Sequence, residues 1–320
     1  KTIPLSVAKL YDFSEQEIPV HVIRGEKEGP RMFISAAIHG DEVNGIEIIR
    51  RLIHSKQMSK LCGTLIAVPV VNIFGFNNLS RYLPDRRDLN RSFPGTRKGS
   101  LASRMAHLFM REIVSKCTHG IDFHTGAIHR TNLPQIHACL DDKETLEFAK
   151  AFNVPIIIDA KMRDSSLREA ARKKHIHTLL FEGGQALRFE EKIIKAGVRG
   201  SLSAMRHIGM LPKLKNSQIA EPTIAKDRFW LRSPDSGTAR LKVNVGNYVQ
   251  EGEVVGHILN LLGDTEIEIV APKEGVIIGL NNLPMVTQGD ALIHIATLNE
   301  LDHQALEKQG FIFNDTDLYD

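Results

Sequence analysis

Apolar positions over the first two thirds of the chain alternate between the spacing of strands and the spacing of helices. Short apolar runs, several of them rich in β-branched residues, predict strands at 18–24, 31–38, 63–71, 120–123, 154–159 and 177–181. Apolar residues that recur every three or four positions predict helices at 42–54, 100–116, 142–153, 166–174 and 188–210. Strands that alternate with helices predict an α/β fold whose mixed, mainly parallel central sheet has helices on both faces.

The pattern changes near residue 225, where helical spacing stops and short Val- and Ile-rich segments separated by Gly and Pro begin. This part repeats itself: Ser233-Pro234-x-x-Gly237 matches Ala271-Pro272-x-x-Gly275, at an offset of about 37 positions. A repeated all-β unit predicts two interlocked halves of a small sandwich, similar to the barrel-sandwich fold of biotinyl and lipoyl carrier domains. Those carriers attach their cofactor to a lysine in the turn between the halves, and no Lys lies between Val254 and Pro272.

The predicted organisation is therefore a first domain at 1–225, a β barrel-sandwich domain at 226–300 and a C-terminal tail at 301–320. Because the attachment lysine is missing, we expect the second domain to cover or shape a cleft of the first domain, or to mediate homo-oligomerisation.

Composition and charge exclude several classes of protein. The 42% of hydrophobic and 25% of charged residues are ordinary for a globular protein of 320 residues. A formal net charge of +3 is too small to indicate a nucleic-acid partner, and no apolar run is long enough to span a membrane. The three cysteines form no C-x-x-C pair, and residues 1–15 lack the apolar segment of a signal peptide. These features predict a cytoplasmic protein.

Three of the predicted strands lead into residues that can bind metals or exchange protons. The first leads into His39 and Glu42, the second ends in His124, and the third ends in Glu182. Because ligands of open α/β sheets bind beyond the carboxyl ends of the strands, we expect these side chains at one rim of the sheet.

The two histidines and Glu42 predict a zinc site. His39 and Glu42 are three residues apart across Gly40, so on a tight turn into a helix an imidazole and a carboxylate can face one point. Zinc favours two His and one Glu with an open fourth position, which predicts one Zn²⁺ per chain held by His39, Glu42 and His124. An H-x-x-E pair alone is common by chance, and His124 could instead be a core histidine paired with Asp122. In the metal interpretation Asp122 orients the ligand histidine.

Glu182 is a candidate general base. It follows an apolar strand and precedes two glycines, so its carboxylate is expected to be poorly hydrated. Desolvation raises the pKa of a carboxyl group, and a pKa nearer neutrality suits a base that activates water. The alternative is that Glu182 caps a helix or forms a salt bridge at the strand end.

A long loop at 81–95 is rich in Arg, Asp, Pro and Gly. Arginine forks bind carboxylates bidentately, so this loop beside a metal suits a small anionic substrate and a developing oxyanion. A solvated loop without a ligand is the alternative.

Four segments together resemble the motifs of the succinylglutamate desuccinylase/aspartoacylase family, a branch of the zinc carboxypeptidase fold. The matching segments are His39-Gly40-Asp41-Glu42, Asp88-Leu89-Asn90-Arg91, Asp122-Phe123-His124 and Glu182-Gly183-Gly184. The resemblance covers roughly residues 30–225, and members of the family also carry an all-β C-terminal domain. It implies that His39, Glu42 and His124 are the zinc ligands, and that Glu182 transfers a proton from the attacking water to the leaving amine.

The resemblance also implies roles for the loop. Asn90 and Arg91 are implied to clamp a carboxylate of the substrate, and Arg81 is implied to polarise the scissile carbonyl. The segment between Arg81 and Asn90 is longer than in the aspartoacylases proper, which leaves Arg87 as a rival for the carbonyl.

The leading hypothesis is a zinc-dependent amidohydrolase that removes the acyl group from a small anionic N-acyl amino acid. A zinc carboxypeptidase that acts on a peptide C-terminus, such as an acidic one, needs the same metal and the same arginine clamp. The two differ in the width of the cleft, which the sequence does not give. A third alternative is a metal-free binding or assembly protein that keeps the fold.

Overall fold

The computed structural model of the protein describes residues 1–161, 163–214, 222–298 and Gln304. The predicted tail at 301–320 lies outside the described residues apart from Gln304. The helices are α1 (Asn44–Ile53), α2 (Ile73–Asn77), α3 (Leu101–Glu112), α4 (Lys143–Phe152), α5 (Leu167–Arg172) and α6 (Glu191–His207). The strands of the first two thirds are β1 (Thr2–Lys9), β2 (Glu15–Arg24), β3 (Lys27–Ala36), β4 (Cys62–Val68), β5 (His119–Gly126), β6 (Arg130–Ala138), β7 (Ile156–Asp159) and β8 (His177–Gln185). Those that follow are β9 (Thr223–Ala225), β10 (Arg228–Arg232), β11 (Gly237–Leu241), β12 (Tyr248–Val249), β13 (Val254–Leu259), β14 (Glu266–Val270), β15 (Gly275–Asn281), β16 (Met285–Val286) and β17 (Ala291–Ala296).

A large mixed sheet runs through the molecule in the order β1-β2-β4-β3-β5-β8-β6-β15-β17-β10. Its centre is parallel, because β3 pairs in parallel with β4 and β5, and β5 pairs in parallel with β8. The strands on either side, β2 and β6, pair antiparallel with this centre. The predicted mixed α/β sheet is therefore confirmed, with its carboxyl ends gathered at one rim.

Helices cover both faces of the sheet, since successive side chains of a strand point to opposite faces. Ile34 on β3 packs in a core with α1, α4 and α6, whereas its neighbour Phe33 packs in a second core with α3 and α5. Both side chains are fully buried, and each such burial stabilises the fold by about 1.5–3 kcal/mol.

Besides the three-residue β9, two strands of the first part, β1 and β6, were not predicted from the sequence, and each has a physical reason. β1 lies at the edge of the sheet and is mostly exposed, so it lacks a continuous apolar run. β6 contains Pro134 and several polar residues, which argue against a strand in sequence-based reasoning. Its register against β8 is irregular between Asn132 and Gln135, where three residues of β6 oppose two of β8. The proline lies within this bulge.

Residues 222–298 contain strands β9–β17 and no helix, and they form two layers. Strands β14, β13, β11 and β16 form a separate sheet that packs across an apolar core from β12, β15 and β17. Each short strand pairs with a strand of the other half of the repeat: β12 pairs with β15, and β16 pairs with β11. This exchange is the arrangement expected of two interlocked halves.

The two parts of the chain share one sheet. Strand β15 pairs antiparallel with β6, with Gly279 opposite Asn132, so the C-terminal strands continue the sheet of the first part. Strands β17 and β10 follow β15 and end beside the same rim as β5 and β8. Among the described helices, none has the length and hydropathy needed to cross a membrane.

Candidate metal centre and active site

The turn between β3 and α1 brings His39 and Glu42 to the rim of the sheet. The backbone there is tightly packed, because a Cβ at Gly40 would lie 2.0 Å from the backbone of Gly75. A Cβ at Gly45 would lie 2.5 Å from Phe123 of β5, so α1 approaches the sheet closely. Small residues at these positions let the turn place Glu42 against His124 at the end of β5.

The side chains of His39, Glu42 and His124 converge on one point. Nδ1 of His39 lies 2.7 Å from Oε1 of Glu42, and Nδ1 of His124 lies 2.8 Å from Oε2. All three side chains are buried, and one ligand-type atom from each lies within 4.8 Å of the other two. Two imidazoles and a carboxylate in this arrangement fit a tetrahedral metal ion with one open position.

Carboxylates behind the two histidines orient their rings. Nε2 of His39 lies 3.2 Å from Oδ1 of Asp88, and Nε2 of His124 lies 2.7 Å from Oδ2 of Asp122. Asp122 is held in turn by the hydroxyl of Ser35, which donates to Oδ1 at 2.7 Å. A histidine that donates its far nitrogen to a carboxylate presents the other nitrogen to a metal, so the surroundings also fit a metal ion.

Charges in the cluster are strongly coupled. Burial by itself would raise the pKa of Glu42, but the neighbouring imidazoles of His39 and His124 hold it well below its usual range. Burial lowers the pKa of His124, whereas Asp122 and Glu42 outweigh that effect and raise it to about 10.

Arg81 lies beside this cluster and Arg87 does not. The Arg81 guanidinium donates from Nη2 to Oδ2 of Asp88 at 2.9 Å and from Nη1 to Oε1 of Glu42 at 3.3 Å. Its side chain is 28% exposed and lines the cavity above the cluster. The Arg87 side chain is 60% exposed, lies 3.7 Å from Asp85 and does not line that cavity.

Glu182 lies on β8, next to β5, and faces the same cavity. Asn132 donates from Nδ2 to Oε1 of Glu182 at 2.9 Å, and Nε2 of His137 lies 3.2 Å from Oε2. Burial raises the pKa of the Glu182 carboxyl, and the nearby charge of Glu42 raises it further. A carboxylate with a raised pKa in a cleft beside a metal cluster is suited to accept a proton from water.

Asn90 and Arg91 also line the cavity. Oδ1 of Asn90 accepts a hydrogen bond from the backbone N–H of Leu167 at 2.9 Å, which ties the loop to the start of α5. Arg91 is partly buried, which lowers the pKa of its guanidinium. Both line the cavity, so every predicted site residue except Arg87 reaches it.

The cavity has a volume of about 730 Å³, and most of the charged side chains that line it are cationic. Its acidic side chains are Glu42, Asp122 and Glu182, whereas its cationic side chains are Arg81, Arg91, Arg130, Lys161, Arg163, Arg168, Arg228 and Arg232. The Arg168 side chain is only 7% exposed, and its Nη1 has no hydrogen-bond partner in the described structure. Burial and the neighbouring Arg228 lower the pKa of Arg168 to about 10.

The C-terminal strands supply part of the cavity lining, through residues that the sequence analysis did not name. Arg228, Trp230 and Arg232 alternate along β10, and all three line the cavity. The ring of Trp230 stacks on His294 of β17, with 4.5 Å between centroids and 7° between planes. The Arg130 guanidinium lies 5.1 Å from the Trp230 ring centroid. The available sequence signal was the spacing of Arg228, Trp230 and Arg232 at every second position, which places them on one face of β10, opposite Phe229 and Leu231.

Comparisons with known proteins give the family of the chain and its relatives. The model of the succinylglutamate desuccinylase/aspartoacylase catalytic domain matches residues 28–208. The chain is 29% identical over 301 residues to an N-alpha-acetyl-L-2,4-diaminobutyric acid deacetylase of Halomonas elongata, with 88% of this chain and 86% of the relative covered.

Solved structures share the whole fold. The product-bound ectoine utilization protein EutE (DoeB) from Ruegeria pomeroyi superposes with a TM-score of 0.82 at 24% identity, over 93% of this chain and 94% of that chain. A succinylglutamate desuccinylase from Silicibacter sp. TM1040 superposes with a TM-score of 0.81 at 25% identity, over 93% of both chains. The similarity therefore includes the C-terminal strands as well as the first part of the chain.

Proposed function

This chain belongs to the succinylglutamate desuccinylase/aspartoacylase family, and we propose that it is a zinc-dependent hydrolase that removes the acyl group from a small anionic N-acyl amino acid. The observation that carries the proposal is the convergence of His39, Glu42 and His124 in the cavity that Glu182 and the arginines line. The relative from Halomonas elongata is named for the deacetylation of an N-acetyl amino acid, which supports this reaction class.

The proposed site holds zinc through His39, Glu42 and His124. Bound there, zinc supplies a Lewis acid that polarises the amide carbonyl and acidifies a water molecule. Arg81 has one guanidinium nitrogen directed at the cluster, so it can donate to the oxygen on which negative charge develops. Asn90 and Arg91, which line the same cavity, bind the carboxylate of the substrate and orient the amide.

Glu182 moves the proton. Its raised pKa lets the carboxylate accept a proton from the attacking water at near-neutral pH and return that proton to the leaving amine. The hydrogen bond from Asn132 holds Oε1 and restricts rotation of the carboxylate.

The lining of the cavity favours a substrate with a second anionic group. A buried guanidinium without a partner is costly, and an anion that binds it removes that cost. Nη1 of the buried Arg168 has no hydrogen-bond partner among the described residues, and Arg163 and Arg228 line the same cavity. A cationic side chain, such as the amine of a diaminobutyrate, would meet repulsion there. We therefore propose an N-acyl amino acid whose acyl group or side chain carries a carboxylate.

A substrate panel tests this proposal. Zinc-loaded protein should hydrolyse N-succinyl or N-acetyl derivatives of glutamate and aspartate with a kcat/KM about tenfold or more above N-acetyl-diaminobutyrate or N-acetylalanine. Release of the free amine measures the rate.

Preferred cleavage of acidic dipeptides would instead assign a carboxypeptidase. Protein purified without chelator that contains no zinc and does not bind it would favour the metal-free alternative.

Replacing Arg168 tests the second anionic group. Arg168→Met keeps a similar volume and removes the charge, so kcat/KM for the best dicarboxylate substrate should fall by about 30-fold or more. The free energy of unfolding, measured with urea, should stay unchanged or rise, because an unpaired buried charge is removed. The matched control is the same substrate with the second carboxylate replaced by an amide. An equal loss on both substrates would contradict an anion subsite at Arg168.

A further inference from the structure

A buried histidine links the C-terminal strands to the general base. His137 on β6 lies between Arg228 of β10 and Glu182 of β8, and it is 8% exposed. Arg228 donates from Nη1 to Nδ1 of His137 across 3.4 Å, a long hydrogen bond. Nε2 of His137 lies 3.2 Å from Oε2 of Glu182, without the alignment of a hydrogen bond, and Nε2 has no hydrogen-bond partner in the described structure.

The contact with Arg228 decides which nitrogen of His137 carries the proton. A guanidinium has donors only, so the Nδ1 atom that faces it must keep its lone pair. A neutral imidazole has one ring proton, which is then on Nε2 and directed at Glu182. Burial, and next the charge of Arg228, lower the pKa of His137 well below its usual range, so the ring is neutral.

A bulge in β6 brings two donors to the same carboxylate. Asn132 lies opposite Gly184 and Gln135 lies opposite Glu182, so β6 has one extra residue within this stretch. In a regular strand two residues five positions apart point to opposite faces, but one extra residue reverses that relation. Asn132 and His137 consequently both face Glu182, one at each oxygen.

We infer that Arg228 fixes the tautomer of His137, and that His137 is thereby a positioning residue that presents an N–H to Oε2 of Glu182, next to the hydrogen bond that Asn132 gives to Oε1. Asn132 donates to one oxygen of the base, and the His137 nitrogen lies within 3.2 Å of the other oxygen, close enough for a hydrogen bond once the two groups align. Contacts of this kind are often long in the unliganded protein and tighten when substrate binds. The C-terminal strands thus act on the base through one imidazole, in addition to closing the cavity.

The tautomer of His137 with its proton on Nδ1 would loosen Glu182 instead of positioning it. With the proton on Nδ1, the lone pair of Nε2 would face a carboxylate oxygen, and the two would repel each other. Glu182 would then keep only the contact with Asn132 and gain freedom to rotate.

The tautomer is measurable without any substrate. We expect ¹⁵N–¹H correlation spectra of the imidazole rings to show His137 with a protonated Nε2 and an unprotonated Nδ1 in the wild-type protein. The signals are assigned by their loss in His137→Gln. Arg228→Met should produce the Nδ1-protonated form or a mixture, whereas Arg228→Lys, which keeps a donor-only cation, should preserve the wild-type pattern. A wild-type ring protonated at Nδ1, or at both nitrogens, would overturn the inference.

Kinetics test the effect on the base and rest on the proposed function. On the best substrate of the panel, His137→Leu should lower kcat by about 10- to 100-fold, the effect of losing a hydrogen bond to a charged group, with KM nearly unchanged. His137→Gln places an amide N–H near the position of Nε2 and should restore most of kcat. Zinc content serves as the control, because neither substitution removes a metal ligand.

The outcomes separate this inference from the proposed function. A rise in KM at constant kcat would make His137 a substrate contact, and equal losses in the Leu and Gln variants would make its role structural; both results contradict positioning. If the wild-type protein hydrolyses nothing in the panel, the proposed function fails. The tautomer spectra then still decide whether Arg228 controls His137.

Discussion

Replacing Glu182 by Gln should lower kcat by about 10²- to 10⁴-fold, the range that general acid–base catalysis contributes. The amide is nearly isosteric but cannot accept the proton of the attacking water at neutral pH. Because Glu182 is not among the residues that converge on the metal position, zinc content should remain at the wild-type level. Steady-state kinetics on the best substrate and metal analysis of the same preparation measure both effects.

A carboxylate remote from the cavity provides the control for this experiment. Glu144→Gln changes a side chain that is 62% exposed, in the first turn of α4, and should leave kcat unchanged. Near-wild-type turnover by the Glu182 variant would show that another group takes the proton. Loss of zinc together with turnover would show that Glu182 belongs to the metal site.

Replacing His124 by Ala should abolish both zinc binding and hydrolysis. The substitution removes one of three buried ligand side chains, and the remaining His39 and Glu42 leave too few donors for a stable site. Treatment of the wild-type protein with a chelator should give the same loss of activity, restored by added Zn²⁺. Metal analysis and titration calorimetry with Zn²⁺ measure the binding.

A graded control comes from the residue behind His124. Asp122→Asn keeps the ligand but weakens its orientation, and such changes cost about 10- to 100-fold in metal affinity. His54→Ala, an exposed histidine that follows α1, should change nothing. Stoichiometric zinc and full activity in His124→Ala would contradict the proposed metal site.

The family and the main features of the fold were accessible from the sequence. The succinylglutamate desuccinylase/aspartoacylase resemblance is confirmed by the match over residues 28–208, and the mixed α/β sheet is confirmed as well. Strands such as β3 and β4 were predictable because their buried parts carry continuous apolar runs, Met32-Phe33-Ile34 and Leu65-Ile66-Ala67-Val68. β6 was not, because its bulge contains a proline and its polar residues face the cavity.

The candidate site, like the fold, was predictable from the sequence only in part. The residue types and short spacings of His39, Glu42, His124 and Glu182 predicted a metal cluster and a base at one rim, and the structure brings all four into one cavity. Within the arginine loop, the sequence alone left Arg81 and Arg87 as rivals. The side chain of Arg81 reaches Glu42, whereas that of Arg87 turns to solvent.

What the sequence by itself determined is therefore local: the elements, the order of the motifs, the donor types of the metal cluster and the family to which they belong. Such features depend on neighbours within a few residues along the chain. Only the tertiary structure decided that Asp88 supports His39, that Nη1 of the buried Arg168 has no hydrogen-bond partner in the described part of the chain, and that Arg228 contacts His137. Each of these depends on residues distant in sequence, and the last depends on the pairing of β6 with β15, which no periodicity along the chain encodes.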